Sequence, residues 1–440
     1  MSNLRPRKNV DNGKAVESTE SDYIDTDDGI LEKRKVNLSE TIASGSKRTP
    51  AVLEKFVQSL PEKGKVWVVR GISAIIMFSL LGLVIYGGPL TMLITIMVVQ
   101  VKAFSEIINI GYAVYRAHGL PWFRSLSWYF LITSDYFFYG EFLIDSFGVA
   151  LSRTDFLQFL VTYHKLISLT LYLVGFVWFV LSLVKRYYLR QFALFFWTHI
   201  TLLIVVSIAH AFIQNLFEGI IWFIVPILMV CCNDLMAYVF GKLYGKTPLI
   251  QLSPKKTWEG FIGAGISTII FGMIISHIFC NYKYFVCPVQ YDEAEDRMTL
   301  ECQPGEMFVP KEYNLPQFLS NISKLFGFGD SIVLYPFVLH SFFLSVFSSV
   351  IGPFGGFFAS GFKRAFKIKD FGDAIPGHGG IMDRLDCMLL MALFVNVYFK
   401  TFLNHDTVQK MFHQIHNLNA EQQLQLYRML QESLQNKHLL

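Results

Sequence analysis

Residues that could carry out phosphate chemistry are concentrated in one short stretch, residues 360–386. It combines basic and acidic side chains with a Pro-Gly-His-Gly-Gly turn that contains His378. Lysine and arginine bind phosphate oxygens, and Mg²⁺ is usually held by one or two carboxylates together with substrate phosphates. The stretch therefore predicts a metal–phosphate site. Its charged members are Lys363, Arg364, Lys367, Lys369, Asp370, Asp373, Asp383, Arg384 and Asp386.

The same stretch also has a simpler explanation as a membrane anchor. Lysine and arginine beside a membrane span set its topology, which accounts for Lys363 and Arg364. It does not account for four aspartates and a glycine-rich turn within the same short stretch. Asp383 and Asp386 are three residues apart at the start of an apolar run, so they would share one face of a helix that begins there. We therefore favour the site.

Earlier in the chain, a second group of residues could bind phosphate. Asp234 is a carboxylate inside a long apolar run, and such carboxylates are usually functional. Ser253, Lys255, Lys256 and Thr257 come just before another apolar run. The free N–H groups at the start of a helix bind phosphate well. Taken alone, these four residues are explained more simply as a helix cap and a positively charged loop.

The stretch 360–386 resembles the signature of CDP-diacylglycerol synthase, also called phosphatidate cytidylyltransferase. Every fixed position of Ser-x-x-Lys-Arg-x4-Lys-Asp-x5-Pro-Gly-His-Gly-Gly-x-x-Asp-Arg-x-Asp is present. Bacterial members carry an Asp metal ligand just upstream, whereas this chain has Gly356 there and resembles the eukaryotic branch. The motifs Asn-Asp-x-x-Ala-Tyr-x-x-Gly and Ser-Pro-x-Lys-Thr-x-Glu-Gly also recur in these enzymes, as does the neighbourhood from Glu106 to Glu141.

The resemblance implies transfer of CMP from CTP to phosphatidate, which gives CDP-diacylglycerol and pyrophosphate for phospholipid synthesis. It also implies Mg²⁺, with room for a second cation, and a homodimer among the lipids of the endoplasmic reticulum membrane. The residues assigned to catalysis are Lys363, Arg364, Lys369, Asp370, His378 and Arg384. Those assigned to substrate binding are Asp234, Ser253, Lys255, Lys256, Thr257 and Glu259, and those assigned to metal binding are Asp370, Asp383 and Asp386.

The composition is that of a membrane protein. Of 440 residues, 53% are hydrophobic and 16% are charged, against about 25% charged residues in soluble domains. The net charge of +4 is too small to suggest nucleic acid as a partner. Because a span needs about 20 apolar residues, we predict an all-α membrane bundle of about nine helices. They lie near residues 67–86, 90–114, 127–148, 156–184, 192–212, 219–240, 261–280, 331–360 and 387–402.

The predicted spans divide the chain into four regions. These are a disordered cytosolic tail (1–64), an N-terminal transmembrane bundle (65–190), a catalytic transmembrane region (191–402) with a lumenal loop (281–330), and an amphipathic tail (403–440).

Charge distribution predicts the orientation of the bundle. With the N-terminal tail in the cytosol, the loops 115–126, 185–191, 241–258 and 361–385 all face the cytosol and hold most of the lysine and arginine. This agrees with the positive-inside rule and puts both phosphate-binding stretches on the cytosolic side. Cys287 and Cys302 then lie in the lumen, where the oxidising environment predicts a disulfide between them.

Two other functions fit parts of the sequence. A CTP-dependent polyisoprenol kinase would also need a membrane, Mg²⁺ and CTP, but would transfer the γ-phosphate. A transporter could use Lys102, Glu106, Asp135 and Glu141 as a pathway through the membrane. Transporters tend to carry inverted repeats, and the sequence shows no such symmetry. Lys102 and Glu106 are predicted to pair with each other or to face the bundle interior.

Overall fold

The computed structural model describes most of the chain between residues 62 and 437. The described ranges are 62–114, 122–151, 155–185, 187–251, 253–292, 297–300, 302–314, 331–403, residue 415 and 420–437. Nearly all of the predicted tail 1–64 lies outside them, as do parts of the loop 115–126, of the loop 281–330 and of the tail 403–440.

The fold is a bundle of α-helices. In chain order the helices are α1 (Glu62–Tyr86), α2 (Gly88–Val114), α3 (Phe123–Leu151), α4 (Asp155–Thr162), α5 (His164–Leu181), α6 (Tyr188–Phe217), α7 (Ile220–Tyr244), α8 (Trp258–Cys280), α9 (Lys283–Val286), α10 (Pro336–Val350), α11 (Gly352–Ala365), α12 (Met382–Leu385), α13 (Met388–Phe402) and α14 (Ala420–Asn436). Helices suit the long apolar runs because a helix satisfies its own backbone hydrogen bonds in lipid.

Among the described residues, seven helical segments are long and apolar enough to cross a membrane. They are α1, α2, α5, α6, α7, α8 and the segment formed by α10 and α11. The polytopic helical class is confirmed, but the predicted number of nine is not. The other two predicted spans are α3, which carries Asp135 and Glu141, and α13, which has 15 residues.

Two predicted spans are interrupted in the structure. The fourth, near 156–184, is divided at Tyr163 into α4 and α5. The eighth, near 331–360, begins as a strand and is divided at Ile351, where α10 ends. Pro353 stands in the first turn of α11, a position where the missing N–H of proline does no harm. Hydrophobicity alone does not reveal such breaks, because the residues on both sides of each are apolar.

Helix α7 lies among four other helices of the bundle. It packs against α8, α6, α10 and α13. Trp222 near its start is buried and contacts the rings of Phe337 and Phe399 edge-on, at centroid distances of 4.9 and 5.0 Å. Asn233 and Asp234 lie in the second half of α7, which ends at Tyr244.

The described residues also form three short antiparallel hairpins. Strand β1 (Pro248–Ile250) pairs with β2 (Ser253–Thr257), β3 (Gln290–Asp292) with β4 (Arg297–Thr299), and β5 (Lys311–Asn314) with β6 (Ser331–Leu334). The predicted disulfide between Cys287 and Cys302 is confirmed. It lies at the end of the bundle where α1 and α6 finish, because Tyr284 donates a hydrogen bond to Ile85 and Val289 donates one to Phe217.

Helix α14 lies within the predicted amphipathic tail 403–440. Its apolar residues recur at helical spacing, as Leu424, Tyr427 and Leu430. All three are exposed in the structure.

Candidate active site

Residues 366–386 of the signature stretch form a compact connection between α11 and α13, the signature loop. Helix α11 ends at Ala365, and residues 366–381 form successive turns that are closed by a bridge between Ile375 and Gly379. Helix α12 then makes a single turn before α13 begins. The predicted helix at Asp383 therefore exists, but it has only four residues.

Asp383 is the buried centre of this loop. Its Oδ1 accepts a hydrogen bond from Lys363 Nζ at 2.8 Å, and the two side chains are only 2% and 15% exposed. Its Oδ2 accepts the backbone N–H of Phe371 at 2.8 Å and that of Gly380 at 2.9 Å. Both oxygens are thus engaged by the protein itself. Asp383 ties α11, the middle of the loop and α12 together, while its role as a metal ligand stays a prediction.

Asp386 has a different environment, close to the second group of residues. Its Oδ1 accepts the N–H of Cys387 at 2.8 Å, and the Cys387 thiol donates to Asp234 Oδ1 at 3.8 Å. A Cβ atom added at Gly356 would lie 3.7 Å from Lys256 Nζ and 3.8 Å from Asp386 Oδ2. The structure therefore brings Asp234, Lys256 and Asp386 together around Gly356.

The electrostatics around Asp386 reflect this crowding. Burial raises the pKa of its carboxyl above the ordinary value; the nearby charge of Asp234 adds to the shift, and Lys363 opposes it. Asp234 itself lies in the second half of α7 and is exposed. The Lys256 ammonium lies 4.4 Å from the centre of the Phe357 ring, a cation–π contact that holds it beside the acidic pair. A positive ligand or a proton shared near these carboxylates would relieve their repulsion.

Asp370 and His378 each present a buried atom without a hydrogen-bond partner in the described part of the chain. These atoms are Oδ2 of Asp370 and Nδ1 of His378. Burial raises the pKa of Asp370, with the charge of Asp383 adding to the shift and that of Lys369 opposing it. Burial lowers the pKa of His378, which favours the neutral form of its ring. Unpartnered buried atoms are rare, and both are suited to a ligand.

The residues before α8 have clear structural roles. Thr257 caps the helix, since its Oγ1 accepts the N–H of Gly260 at 3.3 Å. Glu259 accepts the N–H of Lys246 at 3.1 Å and the Thr247 hydroxyl at 2.8 Å, which closes the loop at the end of α7. The predicted start of an apolar helix here is confirmed at Trp258.

The hairpin of β1 and β2 was not expected from the sequence. Ser253 lies in β2 opposite Ile250, and Lys255 lies in the same strand. The substrate-binding roles of Ser253, Lys255, Lys256, Thr257 and Glu259 stay predictions. The remaining predicted catalytic residues, Arg364, Lys369 and Arg384, are exposed around the signature loop.

Three residues that the sequence left without a function contact the signature loop. Arg70 and Ser73 of α1 donate hydrogen bonds to the carbonyls of Gly377 and Pro376, at 3.1 and 2.9 Å. Glu106 of α2 accepts backbone N–H groups from residues 381 and 382. Of the two alternatives for Glu106, the structure supports an interior-facing side chain. An acidic residue in an apolar run is the only sequence signal that points to it.

Metal binding at this loop would depend on substrate as well as protein. Within the described residues, no three or more His, Cys, Asp or Glu side chains are grouped so that they could hold a metal ion by themselves. Mg²⁺ needs only one or two carboxylates when substrate phosphates complete its shell. Oδ2 of Asp370, which has no hydrogen-bond partner in the described part of the chain, fits that requirement better than Asp383, whose oxygens are both engaged. Asp386, which accepts the N–H of Cys387, is the second candidate.

The bundle and the lysine–carboxylate cluster at one of its ends define an integral membrane protein with a site suited to phosphate groups. Its sequence matches the Cytidylyltransferase family over residues 68–402.

Curated relatives agree with this match. The chain is 51% identical over 427 residues to phosphatidate cytidylyltransferase 1 of Rattus norvegicus, which covers 97% of this chain and 92% of the relative. It is 52% identical over 392 residues to phosphatidate cytidylyltransferase 2 of Homo sapiens, with 89% and 87% covered. It is 48% identical over 409 residues to phosphatidate cytidylyltransferase of Caenorhabditis elegans, with 93% and 87% covered. The chain belongs to the cytidylyltransferase family.

Proposed function

We propose that this protein transfers CMP from CTP to phosphatidate, giving CDP-diacylglycerol and pyrophosphate for phospholipid synthesis. The observation that carries the proposal is the meeting of two distant stretches at one site. Cys387, next to Asp386, contacts Asp234 although 153 positions separate them. Lys256 lies beside the same carboxylates. The relatives named above are phosphatidate cytidylyltransferases, and the first two align with 97% and 89% of this chain.

The reaction needs charge neutralisation more than proton transfer. A phosphomonoester such as phosphatidate carries about 1.5 to 2 negative charges at pH 7, so its oxygen can attack without a general base. It attacks the α-phosphorus of CTP, a new P–O bond forms, and the bond to pyrophosphate breaks. Phosphoryl transfer is catalysed mainly by positioning and electrostatic stabilisation. The enzyme must therefore hold two polyanions together.

The basic residues around the loop are suited to this task. Arg364, Lys369 and Arg384 are exposed and can reach phosphates that arrive from the solution or from the lipid surface. Lys256 lies next to Asp386 and Asp234, where it can balance the triphosphate against the carboxylates. Lys363 is held by Asp383, which fixes its position rather than leaving it to follow a ligand.

Mg²⁺ would be held by Asp386 and Asp370, and Asp383 would support them by binding backbone N–H groups of the signature loop. When bound it neutralises charge on the triphosphate, and a second cation can share the same acidic group. His378 presents a buried ring nitrogen without a hydrogen-bond partner in the described part of the chain, so we assign it to orienting a substrate oxygen through a hydrogen bond.

We further propose that the site faces the cytosol from the endoplasmic reticulum membrane, in a homodimer surrounded by lipid. Soluble CTP is available on that side, and most lysine and arginine residues fall in the loops assigned to it. The disulfide at the opposite end of the bundle supports a lumenal location for that end.

Labelled CTP tests the reaction directly. Purified protein given phosphatidate, Mg²⁺ and CTP labelled at the α-phosphate should place label in the lipid. With γ-labelled CTP the label should leave as pyrophosphate. Chelation of divalent cations should stop both, and added Mg²⁺ should restore them. Lipid carrying the γ-label, or consumption of a polyisoprenol without turnover of phosphatidate, would contradict the proposal.

A further inference from the structure

A carboxylate that is distant in the chain accepts hydrogen bonds from the backbone of the signature loop. Glu106 lies near the end of α2, 275 positions before Ile381. Its Oε1 accepts the N–H of Ile381 at 2.9 Å, and its Oε2 accepts the N–H of Met382 at 2.9 Å. Each oxygen thus binds one of two consecutive backbone amides. Hydrogen bonds to an ionised carboxylate are roughly twice as strong as those between neutral groups.

Two carboxylates together bind three consecutive amides of the loop. Asp383 accepts the N–H of Gly380 at 2.9 Å, and Glu106 accepts the next two. The fit around Gly380 is close, because a Cβ atom there would lie 2.5 Å from Glu106 Oε2. Only glycine lets the carboxylate approach the backbone this closely. The loop conformation and the Glu106 side chain are therefore matched to each other.

The other side of the loop is held by carbonyl contacts to α1. Arg70 Nε donates to Gly377 at 3.1 Å and Ser73 Oγ donates to Pro376 at 2.9 Å. The first two helices thus hold the loop at both its carbonyls and its amides. None of these three side chains belongs to the signature stretch or to the group around Asp234.

We propose that Glu106 is a positioning residue for the catalytic site. It fixes residues 380–382 so that Asp383 keeps its hold on Lys363 and so that Asp386 stays beside Asp234. It acts through the backbone, and its own oxygens are both engaged by amides. The effect on turnover rests on the proposed cytidylyltransferase function, whereas the effect on the loop does not.

Hydrogen–deuterium exchange of the full-length protein in lipid nanodiscs measures the contact itself. Glu106→Gln replaces one oxygen by an amide that must face a backbone N–H, so one of the two bonds is lost. We expect exchange in peptides covering residues 380–382 to become at least about tenfold faster. The matched control is Glu141→Gln in α3, whose carboxylate is 44% exposed and lies 3.5 Å from Lys165. It should leave that exchange unchanged.

Turnover in the same preparations supplies the second measurement. For Glu106→Gln, we expect kcat to fall at least about tenfold while KM for CTP changes by less than about threefold, because a displaced loop harms the transition state more than ground-state binding. Glu141→Gln should retain the original kcat.

Each departure from this pattern overturns a part of the proposal. Unchanged exchange in Glu106→Gln would show that the carboxylate does not hold the loop. Faster exchange with unchanged kcat would show that the loop position does not matter for catalysis. If Glu106→Gln does not fold, Glu106→Asp keeps the charge on a side chain one methylene shorter that cannot reach both amides, and unchanged exchange at residues 380–382 in that variant would then refute the proposal. Absence of turnover in the unaltered protein would contradict the proposed function and leave the exchange result to decide the contact.

Discussion

The two ends of the bundle use charged residues in opposite ways. At the end with the signature loop, Lys363 and Asp383 are 2.8 Å apart with side chains 15% and 2% exposed. At the other end, Glu141 and Lys165 are 3.5 Å apart and are 44% and 81% exposed. Glu141 belongs to that end because its neighbour Phe142 packs on Phe217, where α6 finishes.

The buried charged residues at the signature end organise a site, whereas the charged pair at the other end is exposed and organises none. Exposed ion pairs contribute about 0–1 kcal/mol, so the end with the disulfide must be held in other ways. There the connections are the disulfide and backbone pairing, as in β5 and β6. At the signature end, buried carboxylates bind backbone amides and lysine, and the loop depends on them. The four predictions below test this contrast.

Lys363→Met should be the most damaging change to stability. It leaves Asp383 buried without its cation, and breaking a buried pair from one side typically costs about 3–5 kcal/mol. Thermal unfolding of the purified protein, followed by loss of the monodisperse peak after heating, should show a large drop in the midpoint. Lys165→Met at the other end is the control and should shift the midpoint little. Equal shifts for the two would remove the contrast between the ends.

Asp386→Asn should abolish most turnover and leave the fold intact. The substitution keeps the shape of the side chain and removes a charge that we assign to metal binding, so kcat should fall at least about a hundredfold, or about 2.7 kcal/mol. The measurement is label transfer from CTP to phosphatidate per milligram of folded protein. Glu306→Gln in the hairpin region, where the side chain is 93% exposed, should keep normal activity. Near-normal turnover in purified Asp386→Asn would contradict the assignment of Asp386 as a metal ligand.

Removal of the disulfide should lower the stability of the end of the bundle that carries Cys287 and Cys302, without affecting the site. For a loop of about 15 residues, the expected loss is about 3 kcal/mol, and it should appear as easier proteolysis of residues 281–314. The double variant Cys287→Ser/Cys302→Ser should keep its kcat, because the bond lies at the opposite end from Asp386. A parallel loss of turnover would indicate that the two ends are coupled.

The smallest effect is expected from Glu141→Gln. Its pair with Lys165 is exposed and 3.5 Å long, so the stability change should stay below about 1 kcal/mol. The same thermal measurement used for Lys363→Met is sensitive enough to compare the two directly. A drop as large as that of Lys363→Met would mean that exposure does not decide the contribution of a charge pair in this protein.

Local sequence was sufficient for several features of the molecule. The apolar runs predicted the helices because lipid leaves few other ways to satisfy a backbone. The segment before Trp258 predicted a capped helix, and Thr257 is that cap. The placement of Cys287 and Cys302 in one loop predicted their disulfide. In each case the deciding interactions join residues that are close in the chain.

The number and continuity of the spans were harder to predict. The apolar run around Tyr163 and the one around Ile351 each look continuous by hydrophobicity, yet both are divided in the structure. α3 is long but carries polar residues that make it less apolar than the others. Packing against neighbouring helices decides such cases, and a hydrophobic pattern does not contain that information.

The sequence by itself determined which residue types assemble: a basic and acidic loop, a second lysine-bearing stretch, and a helical bundle to carry them. Only the tertiary structure decided how Asp383 and Asp386 differ, since one is enclosed by Lys363 and loop amides while the other lies near Asp234. It also turned Glu106 from an unexplained charge into a contact with the loop. The physical reason is that burial and hydrogen-bond partners come from turns of the same loop and from segments up to 275 positions away, whereas spacing in a sequence reports only on neighbours within one element.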